Sequence, residues 1–125
     1  DNTAFRQIKN NTPGRYTFVL KATREVPKRL QNPKRKTIGI RVPDNAIALA
    51  LLEELGEPLM STSLILPGNT MAESDPDVIR DNLEKQVGLI IHGGYIGEQP
   101  TTVVDLSEDT PVIVRHGTGD PSPFE

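Results

Sequence analysis

Several residue types are absent or scarce in this sequence of 125 residues, and each absence excludes a class of function. There is no cysteine, which excludes disulfide bridges, thiolate metal sites and cysteine nucleophiles. Two histidines are too few for a histidine-rich metal site, so we expect no bound metal. No apolar run approaches the ~20 residues that a membrane span needs, and no basic leader opens the chain. We therefore expect a cytoplasmic protein with no membrane partner.

Basic residues are scarce in the larger part of the chain and concentrated in the smaller part. Residues 42–125 contain three Lys or Arg against fifteen Asp or Glu, whereas residues 1–41 contain eleven against two. A first third with a net charge of +9 is typical of a surface that binds polyanions. The alternative is that the two parts neutralise each other across the fold.

The basic residues are densest in segment 28–36, which has five of them in nine positions. They are Lys28, Arg29, Lys34, Arg35 and Lys36. Such a segment is suited to the phosphate backbone of RNA, although a solvated loop has the same composition. Aromatic residues make up only 4% of the chain, which disfavours base stacking. We therefore expect any RNA contact to depend on shape and charge.

Apolar periodicity predicts nine elements in the order α, β, β, α, β, α, β, β, β. Helices are predicted over 3–10, over 44–55 with Asp44 as cap, and from Asp75-Pro76 with Ile79, Leu83 and Val87 as a buried stripe. Strands are predicted over 15–22, 37–42, 59–66, 87–91, 101–106 and 111–115, and a loop over 117–125. The pattern favours an α/β fold with a mixed sheet flanked by helices. Because no linker or repeat interrupts it, we expect one domain over 1–125.

Isolated polar residues stand on the otherwise apolar predicted strands. They are Thr17, Arg41, Ser61, Ser63, Thr102 and Arg115. If the faces of these strands converge, the side chains line a pocket of hydroxyls and guanidiniums suited to phosphate or carboxylate groups. The alternative is that threonine is simply a good strand former and Arg115 a surface charge. The sequence contains neither of the glycine motifs that bind nucleotides in other folds, G-x-x-x-x-G-K-[S/T] and G-x-G-x-x-G, and no Ser-His-Asp arrangement. The catalytic residues therefore stay unknown.

Five motifs occur in an order that resembles a known family. They are Pro13-Gly14-Arg15-Tyr16-Thr17-Phe18, Thr37-Ile38-Gly39-Ile40-Arg41-Val42-Pro43, Ser61-Thr62-Ser63, Thr101-Thr102-Val103-Val104-Asp105 and Val112-Ile113-Val114-Arg115-His116-Gly117. Together they resemble the YrdC/YciO family, which includes the threonylcarbamoyl-AMP synthases. The stretches 61–68 and 91–95 are similar in particular to its bacterial YciO branch.

The resemblance implies a twisted open α/β sheet around a deep, positively charged concavity. It implies that ATP, L-threonine and bicarbonate react to give threonylcarbamoyl-AMP and pyrophosphate, for tRNA modification. It further implies that magnesium accompanies the ATP and that there is no tightly bound cofactor. It also implies binding of tRNA or double-stranded RNA. By position, Arg41 would hold the threonine carboxylate or a phosphate, with Thr17 and Thr102 lining the small-substrate end. Ser61 and Ser63 would lie at the nucleotide phosphates, and Arg115 at the nucleotide.

The sequence departs from the family pattern at three places. Ile65 stands where the family's serine-x-asparagine pair has its polar amide, and Arg15 replaces the second proline of a P-G-P turn. The family's N-terminal portion, which carries a Lys-x-Arg pair for the nucleotide, is expected to be missing. We therefore expect nucleotide and RNA binding with weak or absent catalysis by this chain alone. The alternatives are a non-catalytic module that binds double-stranded RNA or tRNA, and a fragment with no function of its own.

Overall fold

The computed structural model describes residues 2–96 and 99–125 and divides the chain into two compact units. The first unit comprises residues 1–49 and 101–125, and the second comprises residues 50–100. The single domain expected over 1–125 stays a prediction.

A four-stranded sheet lies entirely in the first unit. Its strands are β1 (Tyr16–Lys21), β2 (Thr37–Ile40), β3 (Thr102–Asp105) and β4 (Val112–Arg115), in the spatial order β2-β1-β3-β4. β1 pairs antiparallel with β2 and parallel with β3, while β4 pairs antiparallel with β3. This mixed sheet, accompanied by three helices, confirms the predicted α/β fold class.

The described residues form three helices, α1 (Asn2–Asn10), α2 (Ala46–Leu55) and α3 (Pro76–Leu83). Short 3-10 turns lie at Lys28–Leu30 and Ser122–Phe124. At the end of α1, the carbonyl of Ile8 accepts from the amide of Asn11 at 3.1 Å and from the hydroxyl of Thr12 at 2.8 Å, so this terminal helix carbonyl is satisfied by groups beyond the helix.

The start of α3 confirms the sequence prediction, and the start of α2 corrects it. The side chain of Asp75 caps α3 by accepting from the amide of Asp77 at 2.9 Å. The cap predicted at Asp44 is wrong, because the amide of Ala48 donates instead to Oδ1 of Asn45 at 3.0 Å. An N-cap side chain reaches the amide three residues on, and Asn45 holds that position relative to the first turn of α2.

Two predicted strands and one predicted stripe are wrong. Segments 59–66 and 87–91 of the second unit form no strand in the part of the chain that the structure describes. Leu59 and Leu89 are exposed instead. A strand forms only where a neighbouring strand provides hydrogen-bond partners for its backbone, and strand periodicity alone does not provide that neighbour. The stripe predicted on α3 fails at Val87, which lies beyond the helix and is exposed.

The core of the first unit lies on one face of the sheet. It consists of Tyr16, Phe18, Val104, Leu106 and Phe124. Ala4 and Ile8 of α1 pack against this cluster, whereas Phe5 is 63% exposed. The loop predicted over 117–125 contains a 3-10 turn, and its Phe124 is buried, with a ring that meets Tyr16 and Phe18 edge-on at centroid distances of 5.3 and 5.6 Å. The tail therefore closes the core.

Candidate ligand-binding site

A chain of hydrogen bonds joins three side chains on the other, more open face of the sheet. The hydroxyl oxygens of Thr17 and Thr101 lie 2.7 Å apart. Arg115 donates from Nε to the carbonyl oxygen of Thr101 and from Nη2 to its hydroxyl oxygen, each at 3.0 Å. A guanidinium has five N–H donors, so Arg115 is oriented by two bonds and keeps donors for a ligand.

Arg41 belongs to the same end of the sheet. It follows Ile40, which pairs with Phe18, so the register extended by one residue brings Arg41 opposite Thr17. Arg41 is exposed, and its guanidinium makes no hydrogen bond or ion pair to any residue in 2–96 or 99–125. Its neighbour Gly39 presents no side chain, and a Cβ there would come within 3.4 Å of the Thr17 methyl carbon. Two arginines, Arg41 and Arg115, and two threonines, Thr17 and Thr101, therefore lie at the same end of the sheet. At this end, the arginine end, β1 and β3 begin and β2 and β4 end.

Thr102, which the resemblance assigns to the small-substrate end, lies on the opposite face. It pairs with Tyr16 and is fully buried. Its hydroxyl donates to the carbonyl of Gly119 at 2.7 Å and accepts from the amide of Gly117 at 3.0 Å. In this structure the hydroxyl of Thr102 therefore anchors the segment after β4.

Sequence reasoning missed Thr101, the residue that joins Thr17 to Arg115. The signal that identifies it is the alternation of β3, because Thr102 and Val104 share the core face with Leu106. Since a shift of one residue moves a side chain to the other face of a sheet, Thr101 lies on the face of Thr17.

The predicted phosphate-binding serines belong to the second unit. Ser61 and Ser63 are exposed and lie outside any helix or strand. Ile65, two residues further on, is 50% exposed.

The basic segment 28–36 contributes one residue to the polar face. Nη2 of Arg35 donates to Oδ2 of Asp105 at 2.6 Å, and Asp105 lies two residues beyond Val103, the partner of Thr17. Arg35 therefore reaches the face of Thr17, at the opposite end of the sheet from Arg115. Lys28, Arg29, Lys34 and Lys36 are exposed, and their side chains form no hydrogen bond or ion pair with the described residues.

Asp105 combines burial with three hydrogen-bond donors. Its Oδ1 accepts from the amide of Ser107 at 2.8 Å and from the hydroxyl of Ser107 at 2.5 Å, and its Oδ2 accepts from Arg35. Burial acts to raise the pKa of Asp105, but the Ser107 bonds and Arg35 outweigh it and lower the pKa below its ordinary value. The carboxylate is therefore kept ionised and is already occupied by partners.

An open cavity of about 390 Å³ lies next to the arginine end, between the turn 13–15 and segment 118–120. Its lining includes Arg15 but also the acidic residues Asp44 and Asp120. Hydrogen bonds from the backbone and side chain of Ser122 lower the pKa of Asp120, which favours its charged form. Two carboxylates against one guanidinium make this cavity a poorer anion site than the face that carries Arg41 and Arg115.

No group of three or more His, Asp or Glu side chains lies close enough together in 2–96 and 99–125 to hold a metal ion. None of the described helices is both long and apolar enough to cross a bilayer.

The fold and the site define an α/β domain whose mixed sheet carries two arginines and a threonine pair at one end. The chain belongs to the Sua5/YciO/YrdC family, because the model of that family, described as Telomere recombination, matches residues 1–117. This finding confirms the resemblance drawn from the five motifs.

Individual relatives extend the comparison. The chain is 68% identical over 124 residues to the uncharacterized protein YciO of Escherichia coli (strain K12), covering 99% of this chain and 60% of that protein. A crystal structure of E. coli YciO superimposes with a TM-score of 0.92 over all of this chain and 61% of that one. A threonylcarbamoyl-AMP synthase of Mus musculus is 36% identical over 102 residues, covering 76% of this chain and 35% of the synthase. The chain thus spans about 60% of the length of E. coli YciO.

A further solved structure is similar to this chain and holds a ligand. It is P. abyssi Sua5 complexed with L-threonine, with a TM-score of 0.79 and 29% identity over 94% of this chain and 34% of that one. The chain is therefore related to the threonylcarbamoyl-AMP synthases.

Proposed function

We propose that the arginine end of the sheet binds a small molecule with a carboxylate or phosphate group, in a reaction of the threonylcarbamoyl-AMP synthase type. The observation that carries the proposal is the pair of arginines there. The guanidinium of Arg115 is oriented by Thr101, and that of Arg41 is exposed and without a partner among the described residues. Guanidinium groups bind carboxylate and phosphate through paired N–H donors, so such an arrangement suits an anionic ligand.

The proposed ligands are L-threonine and ATP, with bicarbonate as third substrate and threonylcarbamoyl-AMP, pyrophosphate and water as products. The similarity of this chain to a threonylcarbamoyl-AMP synthase and to a Sua5 protein complexed with L-threonine supports this choice of ligands. Arg41 and Thr17 are assigned to the carboxylate of threonine, and Arg115 to the nucleotide. Ser61 and Ser63 belong to the second unit and are proposed, within that unit, as phosphate-binding residues. Thr102 is assigned a structural role, because both of its hydroxyl contacts lie within the protein.

Magnesium enters this proposal with the nucleotide. Mg²⁺ usually keeps several waters and binds substrate phosphates together with one or two carboxylates. The proposal therefore assigns no metal-binding residue in this chain. The proposed location is the cytoplasm, where tRNA modification takes place.

The test is titration of the purified protein with L-threonine and with ATP, each followed by calorimetry, for wild type, Arg41→Ala and Arg24→Ala. Arg24 is an exposed arginine outside the site and serves as the matched control. We expect Arg41→Ala to weaken binding of L-threonine or ATP and Arg24→Ala to leave both unchanged. Pyrophosphate release with all three substrates then tests the reaction. The proposal fails if neither ligand binds the wild type, or if both variants bind like it.

A second candidate function is binding of double-stranded RNA or tRNA by the basic segment 28–36. The observation that favours it is the exposure of four basic side chains there without partners among the described residues. Four such side chains attract phosphates without reading sequence, and their affinity falls steeply with salt. Measurement of RNA affinity over a range of salt concentrations tests this candidate. An affinity that is already immeasurable at low salt would exclude it.

A further inference from the structure

In the described part of the chain, the loop that joins β1 to β2 is tied to the sheet by one ion pair and by a backbone hydrogen bond from the amide of Ala22 to the carbonyl of Lys36 at 2.9 Å. Its residues 32–36, the basic loop, contain Lys34, Arg35 and Lys36. Arg35 donates to the carboxylate of Asp105 at 2.6 Å, although the two residues are 70 positions apart. The side chain of Asp105 is only 9% exposed and that of Arg35 is 53% exposed, so the arginine reaches inward to a buried anchor.

The basic loop is also ordered by its own contacts. Oδ1 of Asn32 accepts from the amides of Lys34 and Arg35 at 3.0 Å, and the amide of Lys36 donates to the carbonyl of Asn32 at 2.9 Å. Lys36 has a φ of 56°, in the left-handed region that residues with a Cβ adopt at a cost. Such a conformation persists only where the surrounding contacts hold it.

The basic residues Lys34, Arg35 and Lys36 are neighbours in the sequence but differ in the partners of their side chains. The ammonium groups of Lys34 and Lys36 form no hydrogen bond or ion pair in the described part of the chain, so their charges are available to a polyanion. The charge of Arg35 is balanced by Asp105 at 2.6 Å. A balanced charge adds little to the attraction of phosphates, and its guanidinium is already occupied.

We propose that Arg35 is a positioning residue for RNA binding, whose ion pair with Asp105 holds the basic loop so that Lys34 and Lys36 face the phosphates. This inference rests on the second candidate function, RNA binding by segment 28–36. Within the basic loop, it assigns the phosphate contacts to the two lysines and none to Arg35.

The proposal predicts an effect opposite in sign to simple electrostatics. Asp105→Asn removes a negative charge beside a basic loop, and charge alone would then strengthen RNA binding. Because Asp105 anchors Arg35, we expect Asp105→Asn to weaken RNA binding instead. Asparagine retains the size of the side chain and an oxygen that accepts from Ser107.

The experiment measures the affinity of the purified protein for a short RNA duplex over a range of salt concentrations. The variants are Arg35→Gln, Asp105→Asn, Lys34→Gln and Lys36→Gln. Each lysine variant is expected to reduce the slope of log affinity against log salt by about one, the loss of one phosphate contact. Arg35→Gln and Asp105→Asn are expected to lower the affinity about three- to tenfold with the slope unchanged. Tighter binding by Asp105→Asn, or a slope change in Arg35→Gln equal to that in Lys34→Gln, overturns the proposal.

Amide hydrogen exchange in the absence of RNA separates this proposal from the function on which it rests. We expect faster exchange over residues 32–37 in Arg35→Gln and Asp105→Asn, and no change in Lys34→Gln. Unchanged exchange in Arg35→Gln overturns the positioning role, even if RNA binds. A wild type that binds no RNA overturns the RNA function, whatever the exchange shows of the loop. Since Arg35 is half exposed on a loop, Arg35→Gln remains informative if Asp105→Asn fails to fold.

Discussion

The hydroxyl oxygens of Thr17 and Thr101 lie 2.7 Å apart, although 84 positions separate them in the sequence. The parallel pairing of β1 with β3 brings them together, since Tyr16 pairs with Thr102 and Thr17 with Val103. Arg115 is held by the same Thr101. The polar end of the sheet therefore depends on a long-range pairing, and a change at Thr101 affects two proposed ligand contacts together.

Thr101 and Thr102 are expected to differ strongly in their contribution to stability. Thr102→Val leaves two partners, the buried carbonyl of Gly119 and the half-buried amide of Gly117, without their hydrogen bonds. We expect a loss of about 1–3 kcal/mol in the free energy of unfolding. Thr101→Val, at a half-buried position, is expected to cost about 0.5–1 kcal/mol. Urea denaturation of both variants measures the difference, and equal costs would contradict the assignment of Thr102 to the fold.

Arg41→Ala is expected to weaken ligand binding without affecting stability. A hydrogen bond to a charged group contributes roughly 1.5–3 kcal/mol, which is the loss expected in the binding free energy of L-threonine or ATP. The guanidinium has no partner in the described residues, so the free energy of unfolding should change by less than about 0.5 kcal/mol. Calorimetry and urea denaturation give the two values. A loss of several kcal/mol in stability would identify Arg41 as a structural residue.

The elements predicted correctly are those whose patterns are local. In β1 and β2, large apolar side chains recur at every second residue, and a capping aspartate with a proline identifies the start of α3. Segments 59–66 and 87–91 have strand-like composition, but a strand also requires a partner, which composition does not reveal.

Long-range contacts explain what the sequence could not predict at the site. Thr17 and Arg115 were recognised from their strands, whereas the choice between Thr101 and Thr102 depends on which face of β3 packs on the core. The ion pair of Arg35 with Asp105 joins a loop to a strand 70 residues away. No local pattern indicates which of several neighbouring basic residues forms such a contact.

Phe124→Ala is expected to be strongly destabilising, because Phe124 belongs to the buried core of the first unit. Its ring is 5% exposed and contacts the rings of Tyr16 and Phe18. Deletion of a buried phenylalanine side chain costs about 3–5 kcal/mol. Phe5→Ala is the matched control, because Phe5 is 63% exposed, and it should cost less than about 1 kcal/mol. Similar unfolding free energies for the two variants would show that the tail does not close the core.

The contribution of Asp105 to stability should disappear in acid. Its pKa is lowered in the folded protein, so the folded state favours the ionised form more than the unfolded state does. The resulting stability is fully present above the ordinary pKa of 3.8 and is lost as the pH falls through the lower pKa of the folded state. Urea denaturation of wild type and Asp105→Asn at neutral pH and at several pH values below 3.8 should give a difference that shrinks with falling pH. A difference independent of pH would contradict the ionised pair with Arg35.

Ile65→Asn tests whether an apolar residue limits the proposed reaction. In the family pattern that this sequence resembles, a polar amide stands at this position, two residues after Ser63. Ile65 is 50% exposed, so an amide there remains in contact with water, and we expect a change of less than about 0.5 kcal/mol in the free energy of unfolding. An added donor and acceptor near the proposed phosphate site should stabilise charge that develops in the transition state. We therefore expect Ile65→Asn to release pyrophosphate from ATP, L-threonine and bicarbonate faster than the wild type, while ATP affinity changes little.

The control for this prediction is Ile65→Val, which keeps the position apolar and should leave the rate unchanged. Urea denaturation of both variants shows that a changed rate does not come from altered folding. A wild type as fast as Ile65→Asn would mean that the isoleucine is harmless at this position. If Ile65→Asn folds correctly but releases pyrophosphate more slowly than the wild type, Ile65 makes an apolar contact with the bound substrate. A polar group at that contact would lose its water without gaining a hydrogen-bond partner.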